Sequence, residues 1–191
     1  MNDALIPSRA HPPNEAAAPF SEAAAWAALA EVLDPEVPVL SMLELGIVRS
    51  VALEGCAVHV VVTPTYSGCP ATEVIQDAIR TALFDAGAAA VSIELQFAPA
   101  WTTDWISPAA AEKLRRYGIA PPRAVHEDAV STRDQSARSG VQPLHFHPRT
   151  VHCPRCDSTR TERLLAFGST ACKALYRCLA CREPFEYFKP I

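Results

Sequence analysis

No apolar run approaches the roughly 20 residues needed to cross a bilayer, so a membrane-spanning role is not expected. The N-terminus, Met1-Asn2-Asp3-Ala4-Leu5-Ile6-Pro7, lacks a basic start followed by an apolar stretch. That argues against a secretory signal and places the chain in the cytoplasm. No Glu-x-x-His pair is present for a di-iron site. There is also no Gly-x-Gly-x-x-Gly fingerprint for a dinucleotide. Charged residues are sparse at 20%, whereas the 49% hydrophobic content is ample for a core.

Cysteine and proline are plentiful, at 7 and 17 residues of 191. Four of the cysteines form two Cys-x-x-Cys pairs, which in a chain without a secretory signal read as metal ligands and not as disulfides. The net charge of −4 hides an asymmetry: residues 1–118 carry 6 Lys/Arg against 14 Asp/Glu, and residues 119–191 carry 11 against 7. An acidic first part therefore precedes a basic second part, and the two could attract each other or face different partners.

Residues 1–19, rich in Pro and Ala, read as a disordered arm. Ser21 caps a helix over about 22–33, with Trp26, Leu29, Val32 and Leu33 at helical spacing, and Asp34-Pro35 stops it. Ile47, Val48, Val51 and Leu53 mark a strand, and Val58, Val60 and Val62 a second one. His59 alternates with those valines and is assigned no role, and Cys56, beside the Glu54-Gly55 turn, is read as packing. Val74, Ile75, Ala78, Ile79, Ala82 and Leu83 make an amphipathic helix over about 70–86. A third strand follows at Val91, Ile93, Leu95 and Phe97, then a helix capped by Ser107, with Pro108 at its first position and Gly118 at its end. The order predicts an α+β domain over 20–118, a three-stranded sheet covered by helices. A proline-bearing linker is expected over 119–149 and a second unit over 150–191.

The chemistry centres on Thr63-Pro64-Thr65-Tyr66-Ser67-Gly68-Cys69-Pro70. With Pro70 at the first helical position, Cys69 becomes the expected N-cap residue. There, unpaired backbone N–H groups and the helix dipole would favour the thiolate. Thr63, Thr65 and Ser67 are placed to donate hydrogen bonds to that sulfur or its ligand. The bland alternative is a small buried cysteine beside a helix. No histidine lies near Cys69 in sequence apart from His59, so a cysteine–histidine catalytic pair has little support.

Cys153-Pro154-Arg155-Cys156 and Cys178-Leu179-Ala180-Cys181 lie 21 residues apart and supply four thiolates. This is the pattern of a zinc ribbon, with strands over Arg163–Phe167 and Ala174–Arg177. Four thiolates also suit a rubredoxin-like iron. A unit of about 40 residues has too small a core to fold on burial alone, so the metal should carry its folding. Cys172 is an uncommitted thiol, beside Lys173, which would lower its pKa, or a loop cysteine without chemistry. Ribbons often bind nucleic acid, but the acidic balance makes that the minor reading.

Asp34-Pro35-Glu36, Leu43-Glu44-Leu45-Gly46-Ile47-Val48 and the Cys69 motif together resemble the family of iron–sulfur assembly factors. That family includes SufT-like proteins and the eukaryotic cytosolic iron–sulfur targeting subunit. The resemblance implies that Cys69 handles a transient iron or iron–sulfur cluster, with Asp34, Glu36 and Thr63 around it. Joined to a ribbon carrying Phe167-Gly168-Ser169-Thr170-Ala171-Cys172-Lys173, the whole resembles the PaaD family, the D components of bacterial phenylacetyl-CoA epoxidase systems. This implies an accessory, non-enzymatic subunit in aerobic phenylacetate catabolism. Its partners would be the oxygenase and reductase components, one of which it would mature. A structural subunit that stabilises the oxygenase complex is the alternative.

Overall fold

The computed structural model describes residues 20–55, 57–122 and 150–191. The arm expected over 1–19, residues 123–149 of the expected linker, and Cys56 lie outside the described residues.

The first unit follows the expected order. Helix α1 (Glu22–Ala30) is capped by Ser21, whose side chain accepts from the Ala24 N–H. It ends before the expected boundary, so Leu33 falls out of phase and is exposed, while Ala25 and Leu29 are buried. Strands β1 (Val48–Glu54) and β2 (Ala57–Val62) are antiparallel, and β3 (Ala90–Leu95) runs parallel to β2, giving the order β1-β2-β3. A bulge between Val48 and Ser50 inserts Arg49. That extra residue explains why the inward residues are Val48, Val51 and Leu53 and not a strict alternation. Helix α2 (Thr72–Asp85) buries Ile75, Ile79 and Leu83 and turns Val74 outward. Helix α3 (Pro108–Tyr117) starts at Ser107 and stops at Gly118, which takes the left-handed conformation at φ 96°. Gly46, at φ +68°, lies where a Cβ would come within 2.9 Å of the Trp105 Cβ, so the motif requires glycine there.

The second unit is a four-stranded sheet in the order β4-β7-β6-β5, where β4 is Ile119–Ala120, β5 Thr161–Leu165, β6 Lys173–Cys178 and β7 Pro184–Phe188. Here the structure departs from the expected linker. Ile119 and Ala120 pair in parallel with Glu186 and Tyr187 of β7. A two-residue strand carries no periodicity and is invisible to pattern reading. Ile119 packs into the core of the first unit, and its neighbour Ala120 into that of the second.

The two units share a core. Phe188 and Cys172 of the second unit belong to the same buried cluster as Leu40, Leu45 and Ile75 of the first. The Phe188 ring lies 6.1 Å from that of Trp101, whose Nε1–H donates to the Leu45 carbonyl at 2.9 Å. The Thr103 N–H reaches the Ile191 carbonyl at 3.3 Å. Phe188 is 2% exposed, so its truncation opens a cavity between the units and not within one of them. Phe188→Ala is expected to cost about 3–5 kcal/mol. Trp101 emission and ribbon zinc retention should report one joint thermal transition shifted down; an unchanged Trp101 transition would show that the units are not joined in this way.

Candidate functional site

The two Cys-x-x-Cys turns face each other. Cys153 Sγ lies 3.7 Å from Cys181 Sγ, and Cys156 Sγ lies 3.6 Å from Cys178 Sγ. All four sulfurs fall within 4.8 Å of one another. Metal–sulfur bonds of about 2.3 Å in a tetrahedron put sulfurs about 3.8 Å apart, so the set fits one tetrahedral ion. The N–H groups of Cys181 and Ala180 point at Cys178 Sγ, at 3.5 and 3.4 Å. They pull its pKa down to about 6, which readies a thiolate ligand. A zinc held there would fasten Cys153 and Cys156 to the β6–β7 hairpin. Cys178→Ser is expected to drop zinc from one ion per chain to none by metal analysis, with thermal unfolding shifted down across both units.

The β5–β6 connection, residues 166–172, and Lys173 at the start of β6 are tied down on both sides. The Gly168 N–H donates to the Lys173 carbonyl, and the Lys189 N–H to the Cys172 carbonyl. Glu186 accepts from the Ser169 N–H at 2.6 Å and pairs with Lys173 Nζ at 3.0 Å. Lys173 is 2% exposed, and its ammonium also donates to the Glu36 carbonyl at 3.3 Å. A buried ammonium demands such partners, so this lysine ties the ribbon to the Asp34-Pro35-Glu36 turn. In consequence Cys172, the uncommitted thiol of the sequence, points into the first unit. Its Sγ lies 3.0 Å from Thr170 Oγ1 and 3.9 Å from Glu36 Oε2.

Cys69 does not cap α2. Residues 69–72 form a turn with Pro70 at its second position, where proline is favoured. The Thr72 N–H and hydroxyl both donate to the Cys69 carbonyl, at 3.2 and 2.8 Å. The N-cap is Ala71, two residues later, with no side-chain cap. The expected lowering of the Cys69 pKa is therefore overturned. Burial pushes the thiol up, the Ala71 N–H pulls the other way, and the Glu36 carboxylate adds to the rise. Cys172 behaves alike: burial raises its pKa, Thr170 opposes, and Glu36 raises it further, so the lowering expected from Lys173 does not prevail.

Cys69 and Cys172 line one cavity of about 20 Å³ together with Asp34, Glu36, Thr65 and Phe188. Asp34 shapes the wall: its Oδ1 accepts from the N–H groups of Glu36 and Val37 at 2.8 and 2.7 Å. Thr63 is buried at the end of β2, where its N–H donates to the Ile47 carbonyl, and it does not line the cavity. Tyr66 stands close by, and burial, Cys69, Glu36 and Cys172 all raise its pKa. The cavity lining holds no histidine. His59 instead meets Ser92 and Glu94 on an exposed part of the sheet. Sequence reasoning could not pair Cys172 with Cys69, because the contact joins residues 136 positions apart at Glu36.

Burial raises both thiols, and the Glu36 carboxylate beside them adds to the rise in each. Alkylation of Cys69, followed by peptide mass analysis, is expected to rise with pH through a midpoint above the ordinary thiol value of about 8.5. Glu36→Gln should move that midpoint down, because it removes a negative charge that disfavours the thiolate. A midpoint below 8.5 in the unmodified protein would contradict the assignment.

Two family models match the chain. Residues 22–95 match the iron–sulfur cluster assembly protein family, and residues 137–189 match the PaaD zinc beta ribbon domain. A protein of Escherichia coli (strain K12), named for the D component of a 1,2-phenylacetyl-CoA epoxidase, is 50% identical over 167 residues, covering 87% of this chain and 91% of that protein. Among solved structures, a domain of unknown function from Bacillus anthracis is 26% identical, with a TM-score of 0.45, over 49% of this chain and 90% of that one. A conserved hypothetical protein from Thermotoga maritima is 30% identical, with a TM-score of 0.44, over 49% of this chain and 93% of that one. An iron–sulfur assembly unit built onto a four-cysteine ribbon, with this likeness along nearly the whole length, places the chain in the PaaD family, that of the D components of phenylacetyl-CoA epoxidases.

Proposed function

We propose that this chain is an accessory component of a phenylacetyl-CoA epoxidase system, acting in aerobic phenylacetate catabolism, and that it delivers iron or an iron–sulfur cluster to a partner. The clients would be the reductase, through its cluster, or the oxygenase, through its iron centre. Cys69 is the sulfur that holds the cargo, and zinc is the structural ion of the ribbon. The carrying observation is the cavity itself: two thiols and a carboxylate converge, with no histidine among the lining residues to serve as a base. Such a set suits holding a soft cation better than activating a nucleophile.

A structural role in the oxygenase complex is the second reading, and one observation is compatible with it. Leu164, Leu165 and Phe167 stand exposed on β5 and just beyond it. That edge would bury apolar area against a partner under either reading, so both predict co-purification and only Cys69 separates them.

The test is co-expression of the oxygenase and reductase with the unmodified chain or with Cys69→Ser, followed by iron, sulfide and epoxidase assays. A maturation role predicts a folded, zinc-bearing variant whose partner is short of iron or sulfide, with activity down at least about tenfold. A fully loaded and active partner beside the variant would leave the structural role.

A further inference from the structure

We infer that Cys69, Cys172 and Glu36 form a composite site for a single thiophilic divalent cation, assembled only because the ribbon is seated on the first unit. The inference deepens the function proposed above by naming the cargo form and a second ligand, and it rests on that reading only for the biological metal being iron.

The ligand set comes from both units. Cys69 and Glu36 belong to the first, and Cys172 is supplied by the β5–β6 connection. An ion bonded to sulfur at about 2.3 Å and to a carboxylate oxygen at about 2.1 Å holds the two about 3.6 Å apart at a tetrahedral angle. Cys172 Sγ and Glu36 Oε2 are 3.9 Å apart, within a few tenths of that span. Two thiolates and one carboxylate are a soft-to-borderline donor set, suited to ferrous iron or zinc and not to magnesium or calcium.

The cavity size decides between an ion and a cluster. About 20 Å³ accommodates one water-sized body. A cluster of two irons and two sulfides fills several times that space. The closed junction therefore takes one ion, and a cluster would require the ribbon to move away.

Charge also fits. With both thiols protonated, the cavity holds the Glu36 and Asp34 carboxylates beside a Lys173 already paired with Glu186. Entry of a divalent ion displaces one proton from each thiol to solvent and forms two metal–sulfur bonds and one metal–oxygen bond, with no change of oxidation state. The carboxylates and burial that disfavour bare thiolates are offset by the cation. Among the described residues the ribbon's four cysteines are the only group of such ligands already gathered around one point, and they are committed to their own ion, so Cys69 would close on Cys172 and Glu36 as the cation enters.

The experiment is anaerobic titration of the zinc-loaded full chain with ferrous ion, read by thiolate-to-iron charge-transfer absorption and by iron and zinc per chain after gel filtration. The unmodified protein is expected to take one ferrous ion while keeping one zinc. Cys69→Ser and Cys172→Ser should each weaken that ion by about 100-fold or more, since loss of supporting residues alone costs about 10–100-fold. Glu36→Gln should weaken it by about tenfold or more. Zinc content and thermal unfolding show that each variant is folded, and Cys172→Ser retains a partner for Thr170. Iron binding by Cys172→Ser equal to that of the unmodified protein, or no ferrous ion beyond the ribbon's metal, overturns the composite site. A chain that binds the ion as expected while Cys69→Ser still yields a fully loaded partner keeps the site and removes the maturation role. The reverse pair of results keeps the role and removes the site.

Discussion

A buried ammonium sets the arrangement of this molecule. Lys173 is almost fully enclosed, and water is replaced around its charge by the Glu186 carboxylate from β7 and the Glu36 carbonyl from the first unit. Breaking one side of such an arrangement leaves a charge in an apolar surrounding, which costs several kcal/mol. The connection between β5 and β6 therefore has one seat, and the residue before the lysine, Cys172, is carried into the cavity beside Glu36 and Cys69. Phe188 fills the space beside it and is the apolar counterpart of the same lock.

Much of the fold could be read directly, because its signals are local. Ser21, Ser107 and Gly118 cap helices where expected, and the valines of β2 point inward together. The two Cys-x-x-Cys turns meet as their spacing requires. Two features escaped. Proline after Cys69 is compatible with a helix start and with the second position of a turn, and hydrogen bonds to the Cys69 carbonyl favour the turn. That difference of two residues replaced a thiolate at a helix end with a half-buried thiol whose pKa is raised by burial. The junction was the second omission. The Ile119–Ala120 strand is too short for any pattern, and the Lys173–Glu36 contact spans 137 positions with no sequence signature.

The two groups of cysteines accordingly divide the chemistry. In the ribbon, backbone N–H groups lower one thiol and the four sulfurs stand at metal-bonding separations, which suits a permanent structural ion. In the cavity, burial and a shared carboxylate raise both thiols, so a cation there would have to displace their protons. A site of that kind binds reversibly, since protons compete with the metal. It suits delivery better than storage. The chain belongs to a family of epoxidase components, and its first part matches an iron–sulfur cluster assembly family.

All of this depends on the ribbon being built into the first unit and not merely attached to it. Hydrogen exchange followed by mass spectrometry, on the zinc-loaded chain and after zinc is removed by a chelator, tests that most directly. If the units are one body, removing zinc deprotects residues 34–47 of the first unit together with the ribbon, because Lys173, Cys172 and Phe188 leave their seats. Deprotection confined to residues 150–191, with 34–47 unchanged, would contradict it.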